Sequence, residues 1–178
     1  MQEGDRATRV LVTGAKGQLG SRLVEFGTRR KTLHVKGLDQ TDLDITDPSS
    51  IQEALLQHAP DVVINGAAYT AVDLAESEPE RAFGINCKGV KQLAEACSQN
   101  GVALIHVSTD YVFGEVERVP LSPSEPTGPL GVYGASKLEG EEAFLASGVQ
   151  GAVVRVAWLY DARGSNFLTT MLRLANQH

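Results

Sequence analysis

Sulfur and aromatic side chains are scarce. The 178 residues hold two cysteines, two methionines and one tryptophan, with 6% aromatics. Two cysteines cannot build a disulfide framework. Cys87 and Cys97 fall on one expected helix, where ten residues at ~1.5 Å rise separate them by about 15 Å, beyond bridging range. They read as buried thiols in a reducing compartment, which points to the cytoplasm. No apolar run approaches the ~20 residues a membrane helix needs. Residues 1–6 are polar and unlike a secretory signal, and 1–7 are expected to be a disordered leader. Basic clusters are lacking too. Arg29-Arg30-Lys31 sits at an expected helix end, where cations are favourable. With 16 basic against 22 acidic residues, the net charge of −6 argues against nucleic-acid binding.

What is present is a soluble-protein composition, 42% apolar and 21% charged, in a length that suits one domain with a substantial core. Glycine is the informative residue. Gly14, Gly17 and Gly20 follow an apolar strand at 9–13 and open a helix over 17–30. Gly14 allows a sharp turn, Gly17 lets a pyrophosphate approach the backbone, and Gly20 lets helix and sheet pack closely. The helix N–H groups then face the phosphates. A strand at 33–39 ends in Asp39, which is 19 residues past Gly20. An acid at that distance meets the ribose hydroxyls of NAD and repels a 2′-phosphate.

Further strands are expected at 43–45, 61–65, 102–110 and 151–160, with helices from 46, over 79–99, over 133–146 and over 165–177. Alternation of strands and helices implies an α/β fold with a doubly wound parallel sheet, Rossmann-type, over 8–178. Gly66-Ala67-Ala68 supplies small residues at a strand's carboxyl end, where such sheets bind ligands. Asn86 interrupts the apolar stripe Phe83, Val90, Leu93, Cys97. A buried amide needs partners, and a bond to the neighbouring active-site strand is expected. His106 lies within a strand and reads as a packed core histidine. No acid or thiol cluster surrounds it, so no metal site is expected. Residues 115–131 hold four of the seven prolines, at 120, 123, 126 and 129, and form a long loop of the kind that carries function.

Tyr133 and Lys137 share a helix face at four-residue spacing. A phenol has a pKa of about 10, and lowering it two to three units requires roughly 3–4 kcal/mol. An ammonium about 4 Å away offers about 4 kcal/mol at an effective dielectric near 20. Lys137 is therefore expected to lower the Tyr133 pKa and fit it to protonate a carbonyl oxygen. Ser108 and Thr109 end a strand at the same edge and can hydrogen-bond that oxygen.

Together, Thr13-Gly-Ala-Lys-Gly-Gln-Leu-Gly20, Asn86 and Tyr133-x-x-x-Lys137 resemble an extended short-chain dehydrogenase/reductase. Leu43-Asp-Ile-Thr-Asp47, Asn65 to Asp73, Ser108-Thr-Asp-Tyr-Val-Phe113 and Arg155-Val-Ala-Trp-Leu-Tyr160 are similar to the dTDP-4-dehydrorhamnose reductase family within it. The resemblance implies a catalytic triad of Thr109, Tyr133 and Lys137. It implies cofactor contacts for NADPH or NADH from Gly14, Gly17, Gln18, Leu19, Gly20 and Asp39. Asp44 and Ile45 fall on the adenine side, Ala67, Ala68, Tyr69 and Val107 on the nicotinamide side, with Tyr133 and Lys137 on the ribose. Asp110, Tyr111, Thr109 and Trp158 face a dTDP-linked sugar. A homodimer and a smaller C-terminal substrate part, absent from this chain, are further implications. Gly114-Glu115, Gly128-Pro-Leu-Gly131 and Arg155-Val-Ala157 depart from the family pattern near the sugar. Two other readings share the motifs: a sugar-nucleotide epimerase or dehydratase, and a non-catalytic nucleotide-binding subunit similar to the regulatory β subunit of methionine adenosyltransferase.

Overall fold

A computed structural model describes residues 6–115, 120–164 and 166–176. Five parallel strands, β1 (Thr8–Thr13), β2 (Leu33–Leu38), β3 (Val62–Asn65), β4 (Ala103–Thr109) and β5 (Gly151–Val156), form one sheet in the order β2-β1-β3-β4-β5. Residues 1–5 of the expected leader lie outside the described residues. Arg6 is described, and its guanidinium donates to the Asp61 carboxylate.

Helices cover both faces, as a parallel sheet requires. On one face, α1 (Gln18–Thr28) packs on β1 and β2. Its Gly27 lies against Val35, and Gly37 of β2 lies against Val24. On the other face lie α2 (Pro48–His58), α5 (Val90–Gln99) and α6 (Val132–Ala146). The main core forms there, with Leu11, Val63, Leu93 and Leu104 almost wholly buried. Asp47 caps α2 by accepting from Ser49 N at 2.8 Å, and Pro48 opens the helix.

Several expectations need correction. Residues 43–45 are not a strand, so the sheet has five strands rather than six. Leu43 and Ile45 are buried, which explains the strand-like alternation. Asp39 and Asp44 each fold their carboxylate back onto the N–H and hydroxyl of the threonine two residues on, and these local turns displace ladder pairing. The strand expected at 151–160 stops at Val156. Beyond it, Trp158 takes a left-handed backbone, φ 51°, incompatible with an extended strand. The helix expected over 79–99 is α4 (Pro79–Phe83), a π-helical turn Gly84–Gly89, and α5. A short helix, α3 (Val72–Ala75), was not expected. The last helix, α7 (Phe167–Ala175), is shorter than expected, and 165 and 177 lie outside the described residues, as do 116–119 of the proline-rich loop.

Candidate active site

The carboxyl ends of β1, β3 and β4 open onto a cavity of about 860 Å³, within the size range of ligand pockets. One end is the glycine turn. Gly14 has φ +63°, and a Cβ there would lie 2.7 Å from the Gly66 carbonyl oxygen. A Cβ on Gly20 would collide with the Gly14 carbonyl. Only bare backbone permits this crossing of β1, α1 and the residues after β3. Gly17 is the N-cap of α1 and supplies no side-chain cap. The first N–H groups of the helix are thus left to a ligand, at the positive end of its dipole. Gly17, Gln18 and Leu19 line the cavity there. A cradle that any Cβ would fill, beside an uncapped helix start, fits a dinucleotide pyrophosphate.

The other end holds Thr109, Tyr133 and Lys137. Thr109 ends β4, and Tyr133 and Lys137 stand one turn apart on α6. Lys137 is almost wholly buried, and its ammonium donates to the Val107 carbonyl at 2.7 Å. Burial pulls its pKa down to about 8, against a smaller opposing pull from Glu141. Tyr133 differs from expectation. Its pKa is raised, chiefly by burial, with Asp110 adding to the effect and a hydrogen bond with Thr109 opposing it. The Lys137 ammonium, which donates to the Val107 carbonyl, is not among the causes of that shift. The phenol is therefore protonated at neutral pH, the state a proton donor requires.

Beneath these groups runs a buried polar row. Thr13, Asn65 and His106 are register neighbours on β1, β3 and β4, and none is exposed. Asn65 Oδ1 accepts from Thr13 Oγ1 at 2.6 Å and from Ala67 N at 3.2 Å. Its Nδ2 therefore donates to His106 Nδ1, 3.1 Å away, which places the imidazole proton on Nε2. Burial first, and Lys137 second, pull the His106 pKa down to about 3. His106 is a neutral core histidine, as expected. The row fixes where the Gly66-Ala67 segment leaves the sheet.

Asn86 is also a bracket. Its Oδ1 accepts from Tyr69 N at 2.9 Å, and its Nδ2 donates to Tyr69 O and to Ser136 Oγ, both at 3.0 Å. The bond is to the segment after β3 rather than to a strand, and Ser136 ties it to α6. The π-helical turn around Asn86 turns this amide inward.

Most of the expected site residues meet in this cavity. Gly14, Asp44, Ile45, Ala67, Ala68 and Val107 line it towards the glycine turn, and Asp110, Tyr111 and Trp158 line the outer part. Two do not line it. Tyr69 turns its ring into a second core cluster with Ala75 and Ala82, and its hydroxyl donates to Glu78 at 2.9 Å. Asp39 faces Thr41 and the Lys16 ammonium, which hold its carboxyl well below the usual range. Ser108 lines the cavity, but its hydroxyl is buried without a protein partner among the described residues. The sequence reading missed Gln40, Val72 and Ile85 in the lining. At Val72 and Ile85 nothing in the local pattern tells an apolar cavity wall from packing.

With this geometry in view, the family comparison is decisive. The family model described as RmlD substrate binding domain matches residues 8–178. The chain belongs to this family. Its curated RmlD-family relatives include the dTDP-4-dehydrorhamnose reductase of Mycobacterium tuberculosis (strain ATCC 25618 / H37Rv), 47% identical over 97% of this chain and 58% of that protein. The dTDP-4-dehydrorhamnose reductase of Sinorhizobium fredii is 42% identical over 94% of this chain and 56% of its own length. The chain therefore spans little more than half the length of these relatives. Among solved structures, the Bacillus anthracis dTDP-4-dehydrorhamnose reductase in complex with NADP superposes with a TM-score of 0.92 at 37% identity, covering 97% of this chain and 61% of that one. A UDP-glucose 4-epimerase from Thermus thermophilus, complexed with NAD, has a TM-score of 0.80 at 28% identity over 89% of this chain and 58% of its own. Among the described residues, no group of three His, Cys, Asp or Glu side chains is placed to hold a metal, and no helix is long and apolar enough to cross a membrane.

Proposed function

We propose that this chain is the dinucleotide-binding portion of an NAD(P)H-dependent reductase acting on a nucleotide-linked 4-keto-6-deoxy sugar, dTDP-4-dehydro-L-rhamnose, to give dTDP-L-rhamnose. The observation that carries the reading is the placement of Thr109, Tyr133 and Lys137 in the same cavity as the glycine cradle. Family membership and the reductase names of the relatives support it.

Reduced nicotinamide, when bound, supplies a hydride to C4 of the sugar. Gly14, Gly17 and Gly20 leave room for the pyrophosphate, and the start of α1 offers its free N–H groups. Asp44 and Ile45 flank the adenine end, and Ala67, Ala68 and Val107 shape the nicotinamide end. Tyr133 hydroxyl donates its proton to the C4 oxygen as the carbonyl becomes an alcohol, so one hydride and one proton are consumed per turnover. Thr109 orients the phenol. Lys137, held on the Val107 carbonyl, would hold the ribose. Asp110, Tyr111 and Trp158 form the wall for the sugar nucleotide.

A homodimer belongs to the same proposal. Its support is β5, an edge strand with Val154 exposed, since natural sheets cover such edges. A cytoplasmic location is also proposed, supported by two unpaired thiols.

Tyr133→Phe, made in the protein as its gene encodes it, tests the assignment. Loss of the proton donor lowers turnover by about 10²–10⁴-fold, while cofactor affinity stays within a few-fold. Turnover equal to wild type sinks the reading. The epimerase alternative is recognised by NAD that co-purifies and by no net consumption of added NADPH.

A further inference from the structure

The only tryptophan is held in an unusual way. Trp158 has φ 51°, a left-handed backbone that bulky side chains rarely adopt. Its ring is 74% exposed. It borders the cofactor cavity and also a second cavity of about 650 Å³ that shares Asp110, Tyr111 and Tyr133. Its ring contact is edge-to-face with Phe167 at the start of α7, with centroids 5.3 Å apart. Phe167 is itself 60% exposed, so this stack is not anchored in a core. A strained residue at a cavity rim persists only where its surroundings over-determine it. The constraint has to come from elsewhere in the segment.

It comes from α1. Arg22, two residues past Gly20, makes a two-pronged pair with Asp161: Nε meets Oδ2 and Nη2 meets Oδ1. Both side chains are mostly buried, at 26% and 14% exposure, and the pair draws the Asp161 carboxyl below the usual carboxylate range. A fork-to-fork pair fixes direction as well as distance. Three further bonds tighten the segment. Arg163 Nη2 donates to Glu25 Oε2 at 2.8 Å, and Arg163 N donates to Asp161 Oδ1 at 2.9 Å. Asn166, the N-cap of α7, donates to the Asp161 carbonyl at 2.9 Å. Neither Arg22 nor Asp161 lines the cavity.

We propose that Arg22 and Asp161 are positioning residues: their ion pair latches the segment after β5 onto α1 and so holds Trp158 at the cavity rim. The helix whose start faces the cofactor phosphates is thereby the same element that sets the sugar-side wall. The sugar-side assignment of Trp158 rests on the reading in the preceding section. The latch itself does not.

The test is the emission of Trp158 in this chain, without cofactor or sugar, in wild type, Arg22→Asp, Asp161→Arg and the double charge swap. Each single variant sets like charges against each other across the former Arg22–Asp161 pair. Acrylamide quenching is expected to rise at least twofold and anisotropy to fall in both, with thermal midpoints close to wild type. The double variant, with the pair reversed, restores both signals towards wild type. Unchanged quenching in the single variants overturns the latch, and so does a double variant that quenches like its parents. A single variant that also loses its far-UV signal is replaced by Asp161→Asn, which keeps shape and one hydrogen bond, and for which an intermediate rise is expected and no rise overturns the proposal. Because no substrate is present, this result stands or falls separately from the turnover of Tyr133→Phe.

Discussion

Lys16 and Asp39, just outside the cavity lining, are proposed to decide between them how a 2′-phosphate is received. Asp39 alone repels it, which was the basis for favouring NADH. In the structure the Lys16 ammonium sits on the Asp39 carboxylate, and Lys16 is otherwise exposed, free to turn to a phosphate. The acid is thus partly neutralised, and a relative of the family is crystallised with NADP. Lys16→Ala is expected to leave NADH affinity nearly unchanged and weaken NADPH by up to about fivefold, the equivalent of one lost exposed charge contact. Paired titrations of both cofactors check it. His106 makes a second prediction at this scale. Its folded pKa of about 3 lies below the ordinary 6.5, so between those values the unfolded chain binds the extra proton. Stability is complete above pH 6.5 and falls as pH drops towards 3, by up to about 1.4 kcal/mol per pH unit from this group. Denaturant melts across that range show the slope, and His106→Gln, which can still accept from Asn65, flattens it.

At the scale of elements, the approach of α6 to the π-helical turn is a tight joint behind the site. A Cβ on Gly140 would collide with the Asn86 carbonyl. Gly140→Ala is expected to destabilise by about 1–3 kcal/mol through overpacking, and to displace Tyr133 and Lys137 with the helix. Thermal melts, together with a turnover loss larger than the change in cofactor affinity, check both effects. The elements themselves were largely legible in the sequence. Apolar runs at 9–13 and 61–65 could only be buried strands, and the glycine turn announced its own role. What escaped was what local pattern does not encode. Leu43 and Ile45 alternate like a strand but lie between two Asp-x-Thr turns. The stripe from Phe83 to Cys97 keeps a helical period while the backbone widens at Asn86. For the site, side-chain type and spacing brought Thr109, Tyr133 and Lys137 together. Spacing could not show that the Lys137 ammonium is committed to a carbonyl, or that Tyr69 and Asp39 turn away from the cavity. Those outcomes depend on partners distant in sequence.

At the scale of the molecule, two faces differ. The face of α2, α5 and α6 encloses a continuous core. The outer edge at β5 and α7 leaves Val154, Met171, Leu172 and Leu174 more than 40% exposed, and the chain covers only 58% of the M. tuberculosis relative. The proposed cofactor cradle is lined by residues of this chain, whereas the sugar-side cavity is bordered by the exposed edge. The most direct measurement is the consumption of NADPH by the protein as its gene encodes it, on addition of dTDP-4-dehydro-L-rhamnose. The account predicts loss of the reduced-nicotinamide absorbance in equal amount to the dTDP-L-rhamnose formed. Tight NADPH binding with no oxidation in the presence of that sugar would contradict it.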